Sequence, residues 1–238
     1  MSKIHKKELK LYLIPVPLAE NTANQVLPIQ VIEAVKNLDV FLVENIRTAR
    51  RFISSLKLNK KIDDLTFIEL HKATPLSETW EYLSTLDKDA GIMSEAGCPG
   101  IADPGAVAVS LAHQLGMQVI PLTGPSSILL TLMASGMSGQ SFTFHGYLPI
   151  DKIQRKRSLQ QIEKDALSRQ QTQLFMETPF RNNAMLDAII ETCRPDTLLC
   201  IGANLTDPTQ QVRTMTIEKW KKQKPDLHKI PAIFAIGQ

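Results

Sequence analysis

The sequence lacks the features that mark several specialised classes of protein. Nowhere in its 238 residues does an apolar run approach the roughly 18 residues that a membrane-spanning helix needs. Its 3 cysteines (Cys98, Cys193 and Cys200) are odd in number and lack metal-ligand spacing, and its 5 histidines are scattered. These shortages argue against a membrane-spanning protein, a disulfide framework and a zinc site.

A strong excess of charge of one sign is also missing. The 27 Lys and Arg residues against 24 Asp and Glu residues give a formal net charge of +3. That balance is compatible with an RNA substrate but is not evidence for one. The opening segment, residues 1–10, is polar and basic, and no apolar segment of signal-peptide form follows it. We therefore expect a cytoplasmic protein.

What the sequence does contain is a regular alternation of short apolar runs and amphipathic helical patterns. Repeated units of this kind are typical of a mostly parallel sheet with helices on both faces. In the first half the apolar runs predict strands over 11–18, 40–43, 66–70, 90–93 and 119–122, and the helical patterns predict helices over 26–38, 47–56, 76–86 and 106–115.

The second half has a different character. Two strands over 198–202 and 211–215 are separated by so few residues that we expect an antiparallel pair. Further strands are predicted over 142–148, 172–177 and 231–236, and helices over 128–137, 152–166 and 182–192. The sequence therefore predicts two α/β domains, residues 1–122 with a mostly parallel sheet and residues 123–238 with a mixed sheet.

The segment 92–105 begins as a strand, breaks into a loop and ends at a helix start. Its glycines and prolines favour one built loop shape with exposed backbone amides. Asp103 is a candidate helix N-cap, and Pro104 suits the first helical position. Such a loop at the carboxyl end of a buried strand is where open α/β sheets bind ligands, so we expect a ligand here. The alternative is a tight connection without a ligand, and Cys98 is either a reactive thiol or a small loop residue.

A second loop over 123–127 contains Gly124, Pro125, Ser126 and Ser127 before an apolar helix that we expect to be buried. Ser126 is its candidate cap. The alternative to a ligand-binding loop is again a plain turn and cap.

Four segments, in order, resemble the tetrapyrrole (corrin/porphyrin) methylase superfamily, and within it the small-subunit ribosomal RNA ribose 2′-O-methyltransferases. The first loop is similar to that branch's Ser-Asp-Ala-Gly-x-Pro and Ser-Asp-Pro-Gly motifs, the second to its Pro-Gly-Pro-Ser loop, and the other two to Gly-Phe-Leu-Pro and Phe-Tyr-Glu-Ser-Pro-His-Arg. The matching residues are Ser94-Glu95-Ala96-Gly97-Cys98-Pro99 with Ala102-Asp103-Pro104-Gly105, Pro121 to Ser127, Gly146-Tyr147-Leu148-Pro149, and Phe175-Met176-Glu177-Thr178-Pro179-Phe180-Arg181.

The resemblance implies a methyltransferase of two α/β domains, with S-adenosylmethionine in the cleft between them and usually a homodimer. It implies no metal. The cofactor-binding residues that it indicates are Ser94, Glu95, Ala96, Gly97, Ile101, Asp103, Ser126, Ser127, Asn204, Leu205, Pro231 and Ala232.

Three segments depart from the branch. The loop nearest the start of the sequence reads Val16 to Asn21 and contains no glycine, where the branch has a glycine-rich acidic loop. The branch's Glu-Asp-Thr-Arg is Glu44-Asn45-Ile46-Arg47 here, and its Arg-Glu-Leu-Thr-Lys is replaced by the segment 202–207, which lacks the Arg-Glu pair and the lysine. A C-terminal helical extension is also not seen. These changes affect the acceptor assignment more than cofactor binding.

Methyl transfer from a sulfonium needs mainly positioning of the acceptor, with or without a base. Glu44, Arg47, Glu177 and Arg181 are the candidates for acceptor positioning, each pair having a surface or local ion pair as its alternative. His145 is a candidate base or a half-buried strand residue.

The basic residues Lys152, Arg155, Lys156 and Arg157 either contact RNA phosphate or form a solvated helix face, and Tyr147 is a candidate for stacking on a base. Ribosomal RNA is the predicted acceptor. A small-molecule (tetrapyrrole-like) methyltransferase and a cofactor-binding protein with weak or no catalysis stay open.

Overall fold

A computed structural model describes residues 9–71 and 73–238 of the chain. Most of the basic opening segment therefore lies outside the described residues. The chain divides into two compact units, the first ending at Pro125 and the second running from Ser126 to Gln238. The domain boundary predicted from the sequence, after Leu122, falls just before this division.

The first unit is built on a five-stranded sheet in which every strand is parallel to its neighbours. The strand order is β3-β2-β4-β1-β5, so β4 lies between β1 and β2. This confirms the predicted parallel sheet. The strands are β1 (Lys10–Leu13), β2 (Val40–Val43), β3 (Thr66–Glu69), β4 (Ala90–Met93) and β5 (Gln118–Pro121).

Helices cover both faces of this sheet because successive side chains of a strand point to opposite faces. Phe41 of β2 packs with Phe52 in one apolar cluster, and its neighbour Leu42 packs with Leu83 and Ala108 in another. The helices are α1 (Ala23–Val26), α2 (Ile29–Asn37), α3 (Ile46–Ser55), α4 (Leu76–Ser84) and α5 (Gly105–Gln114).

The helix predicted over 26–38 is confirmed as α2 except for its start, because the chain breaks between α1 and α2. Leu27 and Pro28 are extended, and Pro28, with φ −61° and ψ 154°, is the N-cap of α2. Proline cannot donate the backbone hydrogen bond that a continuous helix requires at that position.

The second unit contains a mixed sheet of order β6-β7-β10-β8-β9. Only the β6–β7 pair is parallel, and the predicted antiparallel pairing of β8 with β9 is confirmed. The strands are β6 (Phe142–Tyr147), β7 (Thr172–Met176), β8 (Leu198–Ala203), β9 (Gln211–Thr216) and β10 (Ala232–Gly237).

One face of the mixed sheet carries a single helix and the other face carries three. The helices are α6 (Ser127–Ser135), α7 (Lys152–Arg169), α8 (Asn182–Thr192) and α9 (Ile217–Lys222). Leu174 of β7 packs with Leu132 of α6, whereas Phe175 packs with Met185 of α8. The sequence did not predict α9, whose Trp220 is buried and donates its indole N–H to the carbonyl of Leu199 at 2.8 Å.

The expectation that the apolar helix α6 is buried is wrong for one of its sides. Thr131 and Leu132 are buried against the sheet, but Leu129 is 47% exposed and Met133 is 78% exposed. A helix that is apolar all round reads as buried from its sequence, whereas here a single sheet face covers only part of it.

The three cysteines are free thiols. Burial raises the pKa of Cys200, and it raises the pKa of Cys193 to about 12. The described residues contain no group of three or more His, Cys, Asp or Glu side chains placed to hold a metal ion. Among the helices of residues 9–71 and 73–238, none has both the length and the apolar character needed to cross a membrane.

The contact between α6 and β8 depends on the missing side chain of Gly202. A Cβ at Gly202 would lie 2.3 Å from Oγ1 of Thr131, which is buried and has no hydrogen-bond partner among the described residues. We expect Gly202→Ala to destabilise the protein by about 1–3 kcal/mol through overpacking. Thr131→Ala alone should change the free energy of unfolding by less than about 1 kcal/mol, because it removes an unsatisfied hydroxyl.

The double variant provides the control. Thr131→Ala should recover most of the stability lost in Gly202→Ala, because it removes the clashing atom. Urea unfolding of the wild type and the three variants measures this coupling. Strict additivity of the two changes would contradict the assigned contact.

Candidate active site

The loop over 94–104, which we call the glycine–proline loop, leaves the carboxyl end of β4 and leads into α5. Gly97 adopts a left-handed conformation, with φ +78°, and forms an isolated antiparallel bridge with Val16. The two residues exchange both backbone N–H to carbonyl hydrogen bonds at 2.9 Å. The loop is thus paired with the segment that leaves β1, the neighbouring strand.

A carboxylate from a second strand fixes the beginning of the loop. Oε2 of Glu44, directly after β2, accepts a hydrogen bond from the backbone N–H of Glu95 at 2.9 Å. The buried Ser94 donates its hydroxyl to the carbonyl of Ala96 at 3.2 Å. Glu44, a predicted acceptor-positioning residue, therefore holds the loop backbone in this structure, and Glu95 keeps its own side chain exposed.

Asp103 fixes the end of the loop, although the predicted N-cap position is wrong by one residue. The N-cap of α5 is Pro104, and the Asp103 carboxylate instead accepts from the backbone N–H of Gly100 at 2.8 Å and of Gly105 at 2.7 Å. The chain between these amides includes Ala102 with φ +64°, a left-handed conformation that is costly for a residue with a Cβ. The Asp103 hydrogen bonds offset that cost.

The thiol of Cys98 faces the second loop. Its Sγ donates to the carbonyl of Pro125 at 3.4 Å and is half-buried. Burial, together with the nearby Asp103 carboxylate, raises the pKa of Cys98. The thiol therefore stays protonated at neutral pH, which favours the interpretation as a loop residue over that as a reactive thiol.

Six of the predicted cofactor-binding residues lie on this loop with different exposures. Ser94 and Gly97 are buried, and Asp103 is half-buried. Glu95, Ala96 and Ile101 are exposed, and the Ile101 side chain is 48% exposed although the loop that carries it is tightly held. An exposed apolar side chain on a fixed loop is a feature of ligand sites.

In the second unit, contacts along α6 show its direction over the sheet. Thr131 lies over Gly202, and one helical turn later the carbonyl of Ser135 accepts from Thr214 Oγ1 at 2.7 Å. Thr214 is paired with Cys200 in the β8–β9 ladder. Since one helical turn and two strand residues both advance the chain by about 6 Å, α6 runs antiparallel to β8.

The helix start therefore lies towards the carboxyl end of β8, where Asn204 and Leu205 follow. Ser126 caps α6 as predicted, by accepting from the backbone N–H of Leu129 at 3.4 Å. Asn204, in a left-handed conformation with φ +48°, donates its backbone N–H to the carbonyl of Pro231 at 3.0 Å.

The ladder continues from this contact with Ala203 paired to Ala232. The predicted residues of the second unit, which are Ser126, Ser127, Asn204, Leu205, Pro231 and Ala232, thus share one end of the β8–β10 pair.

The other predicted side chains are placed separately. Glu177 is buried, and its Oε1 accepts from Arg181 Nη2 at 2.5 Å, so these residues form the local ion pair that was the alternative to acceptor positioning. The hydrogen bond from Arg181 to Glu177 raises the pKa of Arg181. Arg47 is exposed in the first turn of α3. His145 is exposed rather than half-buried, and its Nε2 lies 2.7 Å from Oε1 of Gln173.

Sequence reasoning missed the buried polar group next to this ion pair. Asn182 is fully buried and donates Nδ2 to the carbonyl of Ile230 at 2.6 Å. Asn183 accepts from the backbone N–H of Leu227 at 2.7 Å. The signal in the sequence is a pair of asparagines at a helix start. This signal does not predict which distant residues the asparagines contact.

Curated relatives are similar to this sequence over most of its length. No family model matches the chain. Proteins named ribosomal RNA small subunit methyltransferase I are 30% identical over 76% of this chain in Bacillus subtilis, 29% over 87% in Vibrio cholerae and 28% over 99% in Buchnera aphidicola. The chain covers 59%, 68% and 80% of those relatives' own lengths, respectively.

Solved structures share the fold. The methyltransferase CobJ matches with a TM-score of 0.62 at 15% identity, covering 97% of this chain and 93% of that one. Uroporphyrin-III C-methyl transferase from Thermus thermophilus, solved in complex with S-adenyl homocysteine, matches with a TM-score of 0.57 at 14% identity, covering 96% and 97%. These structures show that the chain has the fold of these methyltransferases, and over most of its length its sequence is similar to proteins named ribosomal RNA small subunit methyltransferase I.

Proposed function

We propose that this protein transfers a methyl group from S-adenosylmethionine to ribosomal RNA, at a ribose 2′-hydroxyl. The observation that carries the proposal is the glycine–proline loop, held on both sides at the carboxyl edge of a parallel sheet while it exposes Glu95, Ala96 and Ile101. Relatives that are 30% and 29% identical to this chain are named ribosomal RNA small subunit methyltransferase I, which supports the acceptor.

The residues present fit this cofactor. S-adenosylmethionine carries an ammonium, a sulfonium, a carboxylate and an apolar adenine, so its site needs both anionic and apolar groups and backbone donors. Glu95 is an exposed carboxylate and Ile101 an exposed apolar side chain. Thr206 adds a buried hydroxyl oxygen that has no hydrogen-bond partner in the described chain, beside Asn204 and Leu205. Such an orphaned polar atom supports a polar ligand at this end of β8.

When bound, the cofactor supplies an activated methyl group. The protein's own residues bind the cofactor and orient the acceptor. In the first unit we assign binding to the glycine–proline loop, with Gly97 and Asp103 acting through the backbone that they shape. In the second unit we assign it to the loop after β8, to Pro231 and Ala232, and to the helix start at Ser126 and Ser127.

Acceptor positioning is assigned to the Glu177–Arg181 pair and to Arg47, with Glu44 acting through the loop that it holds. Glu177 is buried and bound to both Arg181 and the backbone N–H of Thr178, at 2.7 Å for the latter. The buried Glu177 therefore orients the half-buried Arg181. Methyl transfer from a sulfonium depends mainly on the orientation of the acceptor. We assign no catalytic base.

Assembly and location follow the same family. We propose a homodimer acting in the cytoplasm on ribosomal RNA. The exposed apolar side chains of α6, Leu129 and Met133, support an association of subunits, because a side chain such as Met133, at 78% exposure, is costly to leave in water.

Ile101 provides a test of cofactor binding. We expect Ile101→Asn to weaken the binding of S-adenosylmethionine by about tenfold, because it removes apolar contact from the site. Val107→Asn is the matched control, since Val107 is a 40% exposed apolar residue of the same unit outside the proposed site. Isothermal calorimetry measures both. The absence of binding to the wild type at millimolar cofactor, or equal affinity in the two variants, would contradict the assignment.

Glu177 provides a test of acceptor positioning. We expect Glu177→Gln to lower the rate of methyl transfer to ribosomal RNA by at least about tenfold while cofactor affinity stays unchanged, because it releases Arg181. Glu218→Gln is the control, since it removes an exposed carboxylate that pairs with Lys222 at 2.7 Å. Transfer of a labelled methyl group to small-subunit RNA measures the rate, and thermal unfolding checks folding. A normal rate in Glu177→Gln would overturn this role.

A further inference from the structure

The ring of Phe180 is displayed to solvent by the turn between β7 and α8. It is 69% exposed, the most of any aromatic side chain among the large hydrophobic residues described. An aromatic ring in this position is not packed in the apolar core and contributes little to its stability. Its neighbours, and the way in which the turn is held, point to a binding role.

The turn that carries Phe180 is tied down on both sides. The backbone N–H of Lys229 donates to the carbonyl of Pro179 at 3.0 Å, and Asn182 Nδ2 donates to the carbonyl of Ile230 at 2.6 Å. On the other side, Arg181 is bound to the buried Glu177. The position of the ring therefore does not depend on a flexible loop, so little order would have to be gained on binding.

Cationic and aromatic groups surround the ring. Lys229 Nζ lies 6.0 Å from the centre of the Phe180 ring, and the His228 ring meets it edge-on at 6.1 Å between centroids. Lys229 holds a left-handed backbone conformation, with φ +60°, which is unfavourable for a lysine. The nearby Asp226 carboxylate is bound to Asn183 Nδ2 at 2.7 Å and to the backbone N–H of His228 at 2.9 Å.

A second cation at the same end of the β6–β7 pair has no ion pair with any residue that the structure describes. Arg155 is 9% exposed, and its Nε has no hydrogen-bond partner among the described residues. One contact of its guanidinium is Nη1 to the carbonyl of Ile150 at 3.4 Å. Because β6 and β7 are parallel, their carboxyl ends lie on the same side of the sheet, and α7 and α8 start there. Arg155, Tyr147 and the turn that carries Phe180 therefore lie at the same end of these two strands. A buried guanidinium with an open donor suits a phosphate.

We propose that Phe180, held beside Lys229, is a stacking platform for an unpaired base of single-stranded RNA, with Arg155 and Arg181 contacting the adjoining phosphates. The proposal rests on the proposed function and names the form of RNA that the same enzyme takes. Stacking on an aromatic ring requires a base that is free of its helix, and it is tolerant of base identity. The platform therefore selects single-stranded over duplex RNA.

Fluorescence anisotropy with a short labelled RNA strand tests the platform. We expect Phe180→Ala to weaken binding of the single strand by about tenfold and Phe180→Tyr to retain it, because both aromatic rings can stack. Binding of the same sequence as a duplex should change by less than about twofold in either variant. Phe142→Ala is the matched control. Phe142 is a 41% exposed aromatic residue at the start of β6, whereas the proposed platform lies near the carboxyl ends of β6 and β7.

The outcomes separate this proposal from the function on which it rests. If Phe180→Ala binds the single strand as tightly as the wild type, or loses the duplex equally, the platform is overturned while methyl transfer by the wild type still supports the function. A drop in sedimentation coefficient in Phe180→Ala would also overturn it, because the ring would then be a contact between two copies. If the wild type binds S-adenosylmethionine but neither binds nor methylates RNA, the RNA function itself is wrong.

Discussion

The hydrogen bond from the Glu95 backbone N–H to the Glu44 carboxylate is the constraint on which the first unit's site depends. It joins the loop after β4 to the end of β2, while the Val16–Gly97 bridge joins the same loop to the end of β1. A hydrogen bond to a charged group contributes about 1.5–3 kcal/mol. At the other end of the loop, the hydrogen bonds of Asp103 therefore offset the left-handed conformation of Ala102. The three central strands thus determine one loop shape.

The second unit fixes its candidate residues by a different means, which is close packing. Gly202 lets Thr131 of α6 approach β8 closely, and that contact places the start of α6 near the loop after β8. On the opposite face of the sheet, buried Trp220 and Met185 belong to the large cluster under α7, α8 and α9. The glycine–proline loop of the first unit is therefore held by hydrogen bonds between distant residues, whereas the start of α6 in the second unit is placed by the missing side chain of Gly202.

Much of the fold could be predicted from local pattern. The strands β2 and β4 and the helix α8 begin and end where the pattern predicts. Buried strands read as continuous apolar runs, and α8 begins three residues after Pro179. The break at Pro28, the cap at Pro104 and the short helix α9 were not predicted. Each depends on one or two residues, and α9 is stabilised by Trp220 reaching the distant Leu199.

The site was predictable only as a set of motifs. Glycine and proline density marked the loop, but no local pattern could show that Glu44 binds its backbone, since the two residues lie far apart in sequence. Exposure was predicted poorly for the same reason. One side of the apolar helix α6 is exposed, and Arg155 of the basic helix α7 is buried. Both depend on which elements of the fold pack against these helices.

A map of ribose methylation tests most directly the proposal that this protein methylates ribosomal RNA. Small-subunit RNA from a strain that lacks this protein should lose ribose 2′-O-methylation at a defined nucleotide, and the wild-type protein should restore it. A methylation map unchanged by the deletion would contradict the account.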